Sequence, residues 1–440
     1  MKEASTLNSP TQSENVSNWK AAILGIQHLL AMYSGDILVP ILIGSMLHFN
    51  AAQMTYLVSA DIFMCGIATL LQLRTTPLTG IGLPVVLGCA VQAVAPLASI
   101  GGKLGITYMY GAIIAAGIFV FLIAGLFARL KYLFPPVVTG SLITIIGFTL
   151  VPVGFQNWGG GDLTAKSFGN SNNLIIGLVT MVIIIGISAF AKGFIKAIAI
   201  LIGILAGSFL AGAMGVISLD PVSQASWFHL PQFFYFGVPK FNASSMVTMM
   251  LVSITTMIES TGVYFALSDV TGQKLGTNDL KKGYRAEGIA AILGGLFNTF
   301  PYSTFSQNVG VLKLSGVKTR KPVYFAAFFL IVLGLLPKIG ALATIIPSAV
   351  LGGAMVVMFG MVGVQGMQIL HKVDFSKSSN LLIASMSIGL GIGVNTYPQI
   401  FQHLGTELQI MLSNGVVVGS VTAVVLNLIL NRKELKDQEF

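Results

Sequence analysis

Charged residues are what this chain has least of. Lys, Arg, Asp and Glu together make up 9% of its 440 residues, against 54% hydrophobic residues. A soluble domain carries about 25% charged residues, and the mean hydropathy here is +0.84. The composition therefore excludes an ordinary soluble protein and indicates a polytopic membrane protein. The net charge of +9 is not concentrated in a basic domain, so no nucleic-acid partner is expected.

Cysteine and the common catalytic signatures are also scarce. Cys65 and Cys89 both lie in apolar runs and offer neither a disulfide framework nor metal-ligand spacing. The sequence has no Walker loop, no nucleophile elbow and no His/Cys cluster with zinc spacing. We expect no enzyme activity, no cofactor and no metal, so transport would use an ion gradient or run downhill. Residues 1–19 lack the apolar region of a signal peptide, so the first span should be retained.

Apolar runs predict about fourteen membrane segments, since a spanning helix needs about 20 residues. Two of them, the third and the tenth, are short and interrupted by or preceded by proline. The linker 218–245 divides the set into seven and seven. The predicted segments are 21–44, 54–73, 82–98, 106–128, 136–154, 174–190, 194–217, 246–268, 286–300, 302–314, 323–343, 345–366, 380–397 and 408–430.

The basic residues predict the orientation. Of the 24 lysines and arginines, 20 fall on the side of the N-terminus if all fourteen segments cross. The other four are Lys103, Lys166, Lys240 and Lys338. Because cytoplasmic loops carry the excess of basic residues, both termini should be cytoplasmic and the linker extracellular.

The two halves share a motif. The fifth segment opens with Pro135-Pro-Val-Val-Thr-Gly140 and the twelfth with Pro347-Ser-Ala-Val-Leu-Gly352. Both read P-x-x-V-x-G and reach another glycine at the same spacing, Gly154 and Gly366. With seven segments per half, the repeats must have opposite membrane orientation, as inverted repeats do.

The stretch from Leu296 to Arg320 is too polar to form a regular membrane-spanning helix. Pro301 removes a backbone donor and Gly310 permits unusual backbone conformations, so we expect a helix break here. Gln307 and Asn308 add two amides that can donate and accept, as a planar heterocycle would require. The alternative is an ordinary loop with a polar edge. An interrupted hydrophobic segment with adjacent amides favours a transporter's binding site.

An ionisable group at mid-bilayer costs about 2.5–3.5 kcal/mol on insertion scales. Each such group in a predicted segment therefore indicates either a function or a structural partner. Glu259, in the eighth segment, could accept ring N–H groups or take up a proton, or be held by structural hydrogen bonds. Glu287 is either a helix-end carboxylate or a buried member of the site. His28 is more typical of a packing or hydrogen-bonding residue that orients Glu259 or a neighbouring helix. Phe265, with Tyr33 and Phe305, could stack on a flat ligand or simply pack.

Several of these motifs resemble one known family, the nucleobase–ascorbate transporters or nucleobase:cation symporter-2 family, and within it the bacterial xanthine permeases. The resemblance extends over residues 20–430. The motifs that carry it are Gln27-His28 in the first segment, Glu259-Ser-Thr-Gly262 in the eighth, Phe297 to Pro301, and Gln307-Asn-Val-Gly310 followed, at a longer spacing, by Thr319-Arg320.

The resemblance implies an all-α polytopic fold of two inverted seven-segment repeats, with a short strand in each of segments 3 and 10. It also implies core and gate domains and a homodimer. The implied divisions are a cytoplasmic tail 1–20, core 21–133, gate 134–217, extracellular linker 218–245, core 246–343, gate 344–430 and a cytoplasmic tail 431–440.

The resemblance also implies a site. Glu259 and Gln307 would hold the polar edge of a purine, with backbone of the third segment against the ring. One departure is Val263, which replaces an acidic residue or histidine found in some relatives, so a proton relay through that position is absent. The implied substrate-binding residues are Glu259, Gln307, Cys89, Ala90, Val91, Ser306 and Phe265, and the implied proton-coupling or tuning residues are His28, Glu287 and Asn308.

The function implied is proton-coupled import of a purine nucleobase across the plasma membrane of a bacterium. Gln rather than Glu at position 307 resembles the xanthine and urate branch, so xanthine is the first candidate. Urate, uracil or another nucleobase remain alternatives within the family. An anion transporter of the same fold and a channel are the rival classes, and a channel would need polar rings rather than one amide–carboxylate cluster.

Overall fold

The computed structural model describes residues 16–129 and 134–432, so most of the two predicted tails lies outside it. Helices dominate this part of the chain, and two three-residue strands interrupt them. The helices are α1 (Asn18–Asp36), α2 (Leu38–Met46), α3 (Ala51–Leu73), α4 (Val94–Lys103), α5 (Ile106–Arg129), α6 (Pro136–Trp158), α7 (Ser171–Phe190), α8 (Gly193–Ala197), α9 (Ala199–Ala213), α10 (Asp220–Gln224), α11 (Ala243–Thr271), α12 (Thr277–Leu296), α13 (Ser306–Ser315), α14 (Lys321–Gly334), α15 (Pro337–Thr344), α16 (Ser348–Leu370), α17 (Ser378–Thr396), α18 (Thr406–Leu412) and α19 (Gly415–Leu430). The strands are β1 (Leu87–Cys89) and β2 (Tyr302–Thr304).

The prediction of a helical, polytopic membrane fold is confirmed. Within the described ranges, seven helical stretches are long and apolar enough to cross a membrane, or up to nine if each of two bent pairs is one span. The bent pairs are α14 with α15, at 83°, and α18 with α19, at 72°. The count of fourteen segments stays a prediction.

The helix of the ninth predicted segment, 286–300, both begins and ends earlier than that segment. It is α12, which runs over Thr277–Leu296 and includes Lys281, Lys282 and Arg285. Its charged first turns continue the same helix, because helical geometry does not require an apolar sequence where the helix leaves the membrane. The helix break lies at 297–301, and α13 passes through Gly310 without interruption.

The helices pack in two groups. In the first, α12 packs against α5, and α14 packs against α3 and α1. In the second, α16 packs against α6 and α7, and α17 packs against α19 and α6. Each group thus combines helices from both halves of the chain. Small residues permit the close approach: a Cβ on Gly147 of α6 would lie 2.1 Å from the backbone nitrogen of Gly363 in α16.

The two strands pair antiparallel where the third and tenth predicted segments break. Leu87 lies opposite Thr304, Gly88 opposite Ser303, and Cys89 opposite Tyr302. One further backbone bond extends the ladder on each side, from Ala90 N–H to Pro301 O at 2.9 Å and from Phe305 N–H to Val86 O at 3.0 Å. Non-helical backbone at this depth is thereby paired within the protein and not left facing lipid.

Candidate functional site

Each strand leads directly into a short helix, and both helices begin beside the strand pair. After β1, a 3₁₀ turn at Val91–Ala93 precedes α4, whereas α13 begins two residues after β2. Helix N-termini carry unpaired backbone N–H groups and the positive end of the helix dipole. The arrangement therefore directs two polar helix ends at one region, as in the discontinuous helices of transporters.

Only glycine fits at the centre of β1. A Cβ on Gly88 would lie 2.4 Å from the ring of Phe305 and 2.7 Å from Oδ1 of Asp36. Phe305 is the residue between β2 and α13, so the close contact joins the two broken segments to each other. Any side chain at position 88 would push them apart.

Glu259 lies in α11, a helix of 29 residues, and is tied to the broken third segment. The Gln92 Nε2 group donates to Glu259 Oε2 at 2.9 Å and to Thr256 Oγ1 at 2.9 Å. Gln92 is buried, whereas Glu259 is only partly buried because it faces a cavity. One amide thus fixes one carboxylate oxygen and leaves the other available.

That cavity, of about 570 Å³, lies between the strand pair and the helices α6, α11 and α16. We call it the central cavity. It extends to Lys372, an exposed residue beyond the end of α16. Of the predicted substrate-binding residues, it brings together Glu259, Gln307, Cys89, Val91 and Ser306. The opposite wall comes from α6 and α16, namely Ile143, Ile146, Met358, Phe359, Val362, Gln365 and Gln368.

The Gln307 amide differs from that of Gln92 in having no protein partner. It lines the central cavity, and no residue in the described part of the chain forms a hydrogen bond with its side chain. Its donors and its acceptor are therefore available to a ligand.

Two predicted binding residues do not line the central cavity. Ala90 is fully buried, and its N–H is used by Pro301 O. Phe265 is 38% exposed on α11 and does not line the cavity, although Val263 and Ala266 on either side of it do. Stacking on Phe265 has no support from this geometry.

His28 and Asn308 form a buried pair that joins α1 to α13. The Asn308 Nδ2 group lies 3.1 Å from His28 Nδ1 and donates to His28 O at 2.9 Å. Of the two partners expected for His28, the structure gives it the neighbouring helix and not Glu259. The pair lies behind the cavity wall and holds α13 in position.

Glu287 lies in the middle of α12, ten residues after its first residue Thr277, so its interpretation as a helix-end carboxylate is wrong. The side chain is 3% exposed, and its Oε1 accepts from the Tyr264 hydroxyl at 2.5 Å. Gln72 in turn donates to that hydroxyl at 2.7 Å. Glu287 and Thr256 line the same small cavity, and Thr256 also contacts Gln92, so this carboxylate is a close neighbour of the site but not part of its wall.

A second polar cluster supports β1 from behind. Asp36 Oδ1 accepts from Cys89 N–H at 2.7 Å and from Cys65 Sγ at 3.2 Å. Asp61 Oδ1 accepts from Cys89 Sγ at 2.9 Å and from the Tyr302 hydroxyl at 3.1 Å. Ligand atoms of Asp36, Asp61 and Cys89 lie within 4.8 Å of one another, the spacing that a metal ion would need. Their hydrogen bonds already hold both strands.

Gln92 is the functional neighbour that sequence reasoning missed. A signal was available, since Gln92 lies three residues after the end of β1 and Gln307 lies three residues after the end of β2. The internal repeat therefore includes the amides themselves. The wall from α6 and α16 was also missed, because its residues form part of two ordinary apolar segments.

Sequence relatives agree with these features. A family model described as a permease family matches residues 19–400. The xanthine permease of Bacillus subtilis (strain 168) is 52% identical over 412 residues, covering 94% of both chains. The uric acid permease PucK of the same organism is 49% identical over 412 residues, covering 94% of this chain and 96% of its own.

A solved structure shares the fold at low identity. The transmembrane domain of the cyanobacterium bicarbonate transporter BicA matches with a TM-score of 0.60 and 17% identity, covering 92% of this chain and 97% of that one. This likeness concerns the fold alone. The chain is thus a multi-pass membrane protein of a family of permeases, not enzymes. Its broken segments, its motifs and its sequence relatives together place it in the nucleobase–ascorbate transporter family.

Proposed function

We propose that this protein is a proton-coupled symporter that imports a purine nucleobase, with xanthine as the first candidate. The observation that carries the proposal is that Glu259 and Gln307 line the same cavity. Gln92 holds the Glu259 carboxylate, whereas the Gln307 amide has no hydrogen-bond partner in the described part of the chain. The names of the relatives, xanthine permease and uric acid permease, support the substrate class.

The two side chains supply complementary chemistry for a purine edge. A carboxylate of Glu259 accepts ring N–H groups, and the Gln307 amide pairs with an adjacent donor and acceptor. Ser306 and the backbone near Cys89 and Val91 surround the remaining polar positions of the ring. A cavity of about 570 Å³ is within the size range of ordinary small-molecule sites.

The anion-transporter alternative shares the fold but fits the wall less well. The cavity presents a carboxylate beside Gln307, and a carboxylate repels an anionic substrate. Urate remains the closest competitor to xanthine, since the two differ at one ring carbon and a pocket often cannot reject such a change strongly. Competition of labelled xanthine uptake by urate, hypoxanthine, guanine and uracil tests the choice. If labelled xanthine is not taken up above the level of cells that lack the protein, xanthine is not the substrate.

Proton coupling is supported by carboxyl groups within the membrane region. Glu259 faces the cavity and Glu287 is buried beside it, and a carboxyl group in such a place can carry a proton between the two sides. An uncoupler should abolish accumulation of xanthine and leave exchange intact. Accumulation that survives the uncoupler, or follows sodium, contradicts this coupling.

The orientation and larger assembly are part of the same proposal. Both termini would be cytoplasmic, the two packing groups would be the core and gate domains, and the protein would be a homodimer. Cys65 and Cys89 are buried, so an introduced cysteine can be labelled against a low background. Ser223→Cys should react with an impermeant thiol reagent on intact cells and Ser376→Cys should not; the reverse pattern contradicts the orientation. Light scattering of the purified protein tests the dimer.

A further inference from the structure

A second cavity lies against the linker 218–245. Its volume is about 370 Å³, and it is lined by α3, by the last residue of α14, by α15 and by linker residues. We call it the linker pocket. None of the residues lining the central cavity lines this one.

The linker is firmly attached around this pocket. The Tyr56 hydroxyl of α3 accepts from Gln232 N–H at 3.0 Å and donates to Gln232 O at 2.8 Å. The rings of Tyr56 and Tyr235 stack with centroids 3.7 Å apart, and Lys338 donates to Val222 O at 2.8 Å. Because these contacts fix the linker to α3 and α15, the pocket is preformed.

One buried group in the pocket wall has no partner. Ser59 is 5% exposed and lines the pocket, and within the described residues its Oγ has no hydrogen bond. A Cβ on Gly340 of α15 would lie 2.1 Å from that Oγ, so α15 closes directly over it. Because α15 covers this oxygen, it is not available to a ligand, and polar contacts in the pocket must come from the exposed residues of its wall.

The remaining groups define the ligand's chemistry. Tyr235 and His229 supply aromatic rings, while Gln224 and Ser226 supply an exposed amide and an exposed hydroxyl that can both donate and accept. The pocket residues include no Lys, Arg, Asp or Glu. Such a wall suits a flat, uncharged heterocycle with hydrogen-bonding edges. The volume lies in the range of small-molecule sites, about 300–1,000 Å³.

We propose that the linker pocket is a second binding site for a neutral purine base, separate from the central cavity. The inference rests on the proposed function for its choice of purine. Bound there, the base contacts α3, α15 and the linker together, so it holds the linker against helices from both halves of the chain.

The test counts binding sites on the purified full chain. Labelled xanthine in equilibrium dialysis should occupy two sites in the wild type. Ala52→Trp, which fills the pocket from an exposed position of α3, should leave one site. Ala213→Trp, at an exposed position outside both cavities, is the matched control and should keep two. Glu259→Gln should weaken only the central site.

A milder substitution guards against misfolding of the tryptophan variant. Gln224→Ala removes the exposed amide of the pocket wall and should weaken the second site about three- to tenfold. Gln399→Ala is its control, since Gln399 is also exposed but lies outside both cavities. A purely structural role for Gln224 would change thermal stability and leave binding unchanged.

The outcomes separate the two proposals. One site in the wild type that Glu259→Gln alone weakens, with Ala52→Trp and Gln224→Ala unchanged, overturns the linker-pocket site. Loss through Ala52→Trp with no effect of Glu259→Gln supports that site and contradicts the proposed function. No xanthine bound at all overturns both.

Discussion

The two broken segments resemble each other in backbone and differ in chemistry. Each has a three-residue strand with a glutamine three residues beyond it, Gln92 after β1 and Gln307 after β2. The Gln92 amide donates hydrogen bonds to Glu259 and Thr256, whereas the Gln307 amide has no hydrogen-bond partner in the described part of the chain. The repeat thus provides two equivalent amides. The fold uses one to position a carboxylate and leaves the other without a partner in the described residues.

The comparison extends to glycine. Gly88 of the first broken segment has no room for a Cβ, while a Cβ on Gly310 of the second meets nothing within 4 Å. The first segment is therefore held by its surroundings from both sides. The second has free space beside Gly310.

The largest expected effect comes from Gly88→Ala. The added methyl group would overlap the Phe305 ring and Asp36, so we expect little folded protein at the membrane. Gly310→Ala is the matched control and should be neutral or stabilising, since alanine in a helix is favoured over glycine by roughly 0.5–1 kcal/mol. Fluorescence-detected size exclusion of tagged variants measures both. Equal yields would contradict the tight packing of β1.

Glu259→Gln should have the next largest effect. It removes the charge that accepts ring N–H groups, and a hydrogen bond to a charged group contributes about 1.5–3 kcal/mol. Xanthine affinity should fall about 10- to 100-fold at matched expression, measured by uptake and by binding. An unchanged xanthine affinity would show that the binding site does not include Glu259.

Gln307→Asn should have a smaller effect, because a neutral hydrogen bond contributes about 0.5–1.5 kcal/mol. Affinity should fall about two- to tenfold, since the shorter amide keeps its chemistry but loses reach. Gln307→Glu replaces a donor with an acceptor and should change the order in which purines compete. A competition profile identical to that of the wild type would exclude contact between Gln307 and the purine.

Gln92→Ala should have the smallest effect and a different signature. Glu259 loses its positioning bond but keeps its charge, so affinity for all purines should fall by about two- to fivefold with their order unchanged. The competition panel that tests Gln307→Glu measures this directly. A changed order of competitors would show that Gln92 itself reads the substrate.

Much of this site could be anticipated from the chain, for identifiable reasons. Pro301 and the polar residues after it predict an interruption of the helix, because proline and polar groups are disfavoured in a regular lipid-facing helix. Gln307 and Glu259 stand out because polar groups in apolar segments are rare. Their roles in binding stay predictions. Gln92 does not stand out, although it is equally polar, because the visible sequence match between the two halves consists of glycines and prolines.

The sequence by itself determined that the chain lies in a membrane, where its segments break and which family it belongs to. Those properties follow from composition, local sequence and motifs, all of which act over short stretches. Only the tertiary structure decided which amide holds Glu259, across 167 positions of the chain. It also decided that Glu287 bonds Tyr264 and that His28 bonds Asn308. Such partners are chosen by helix packing, which brings together residues that no local pattern relates.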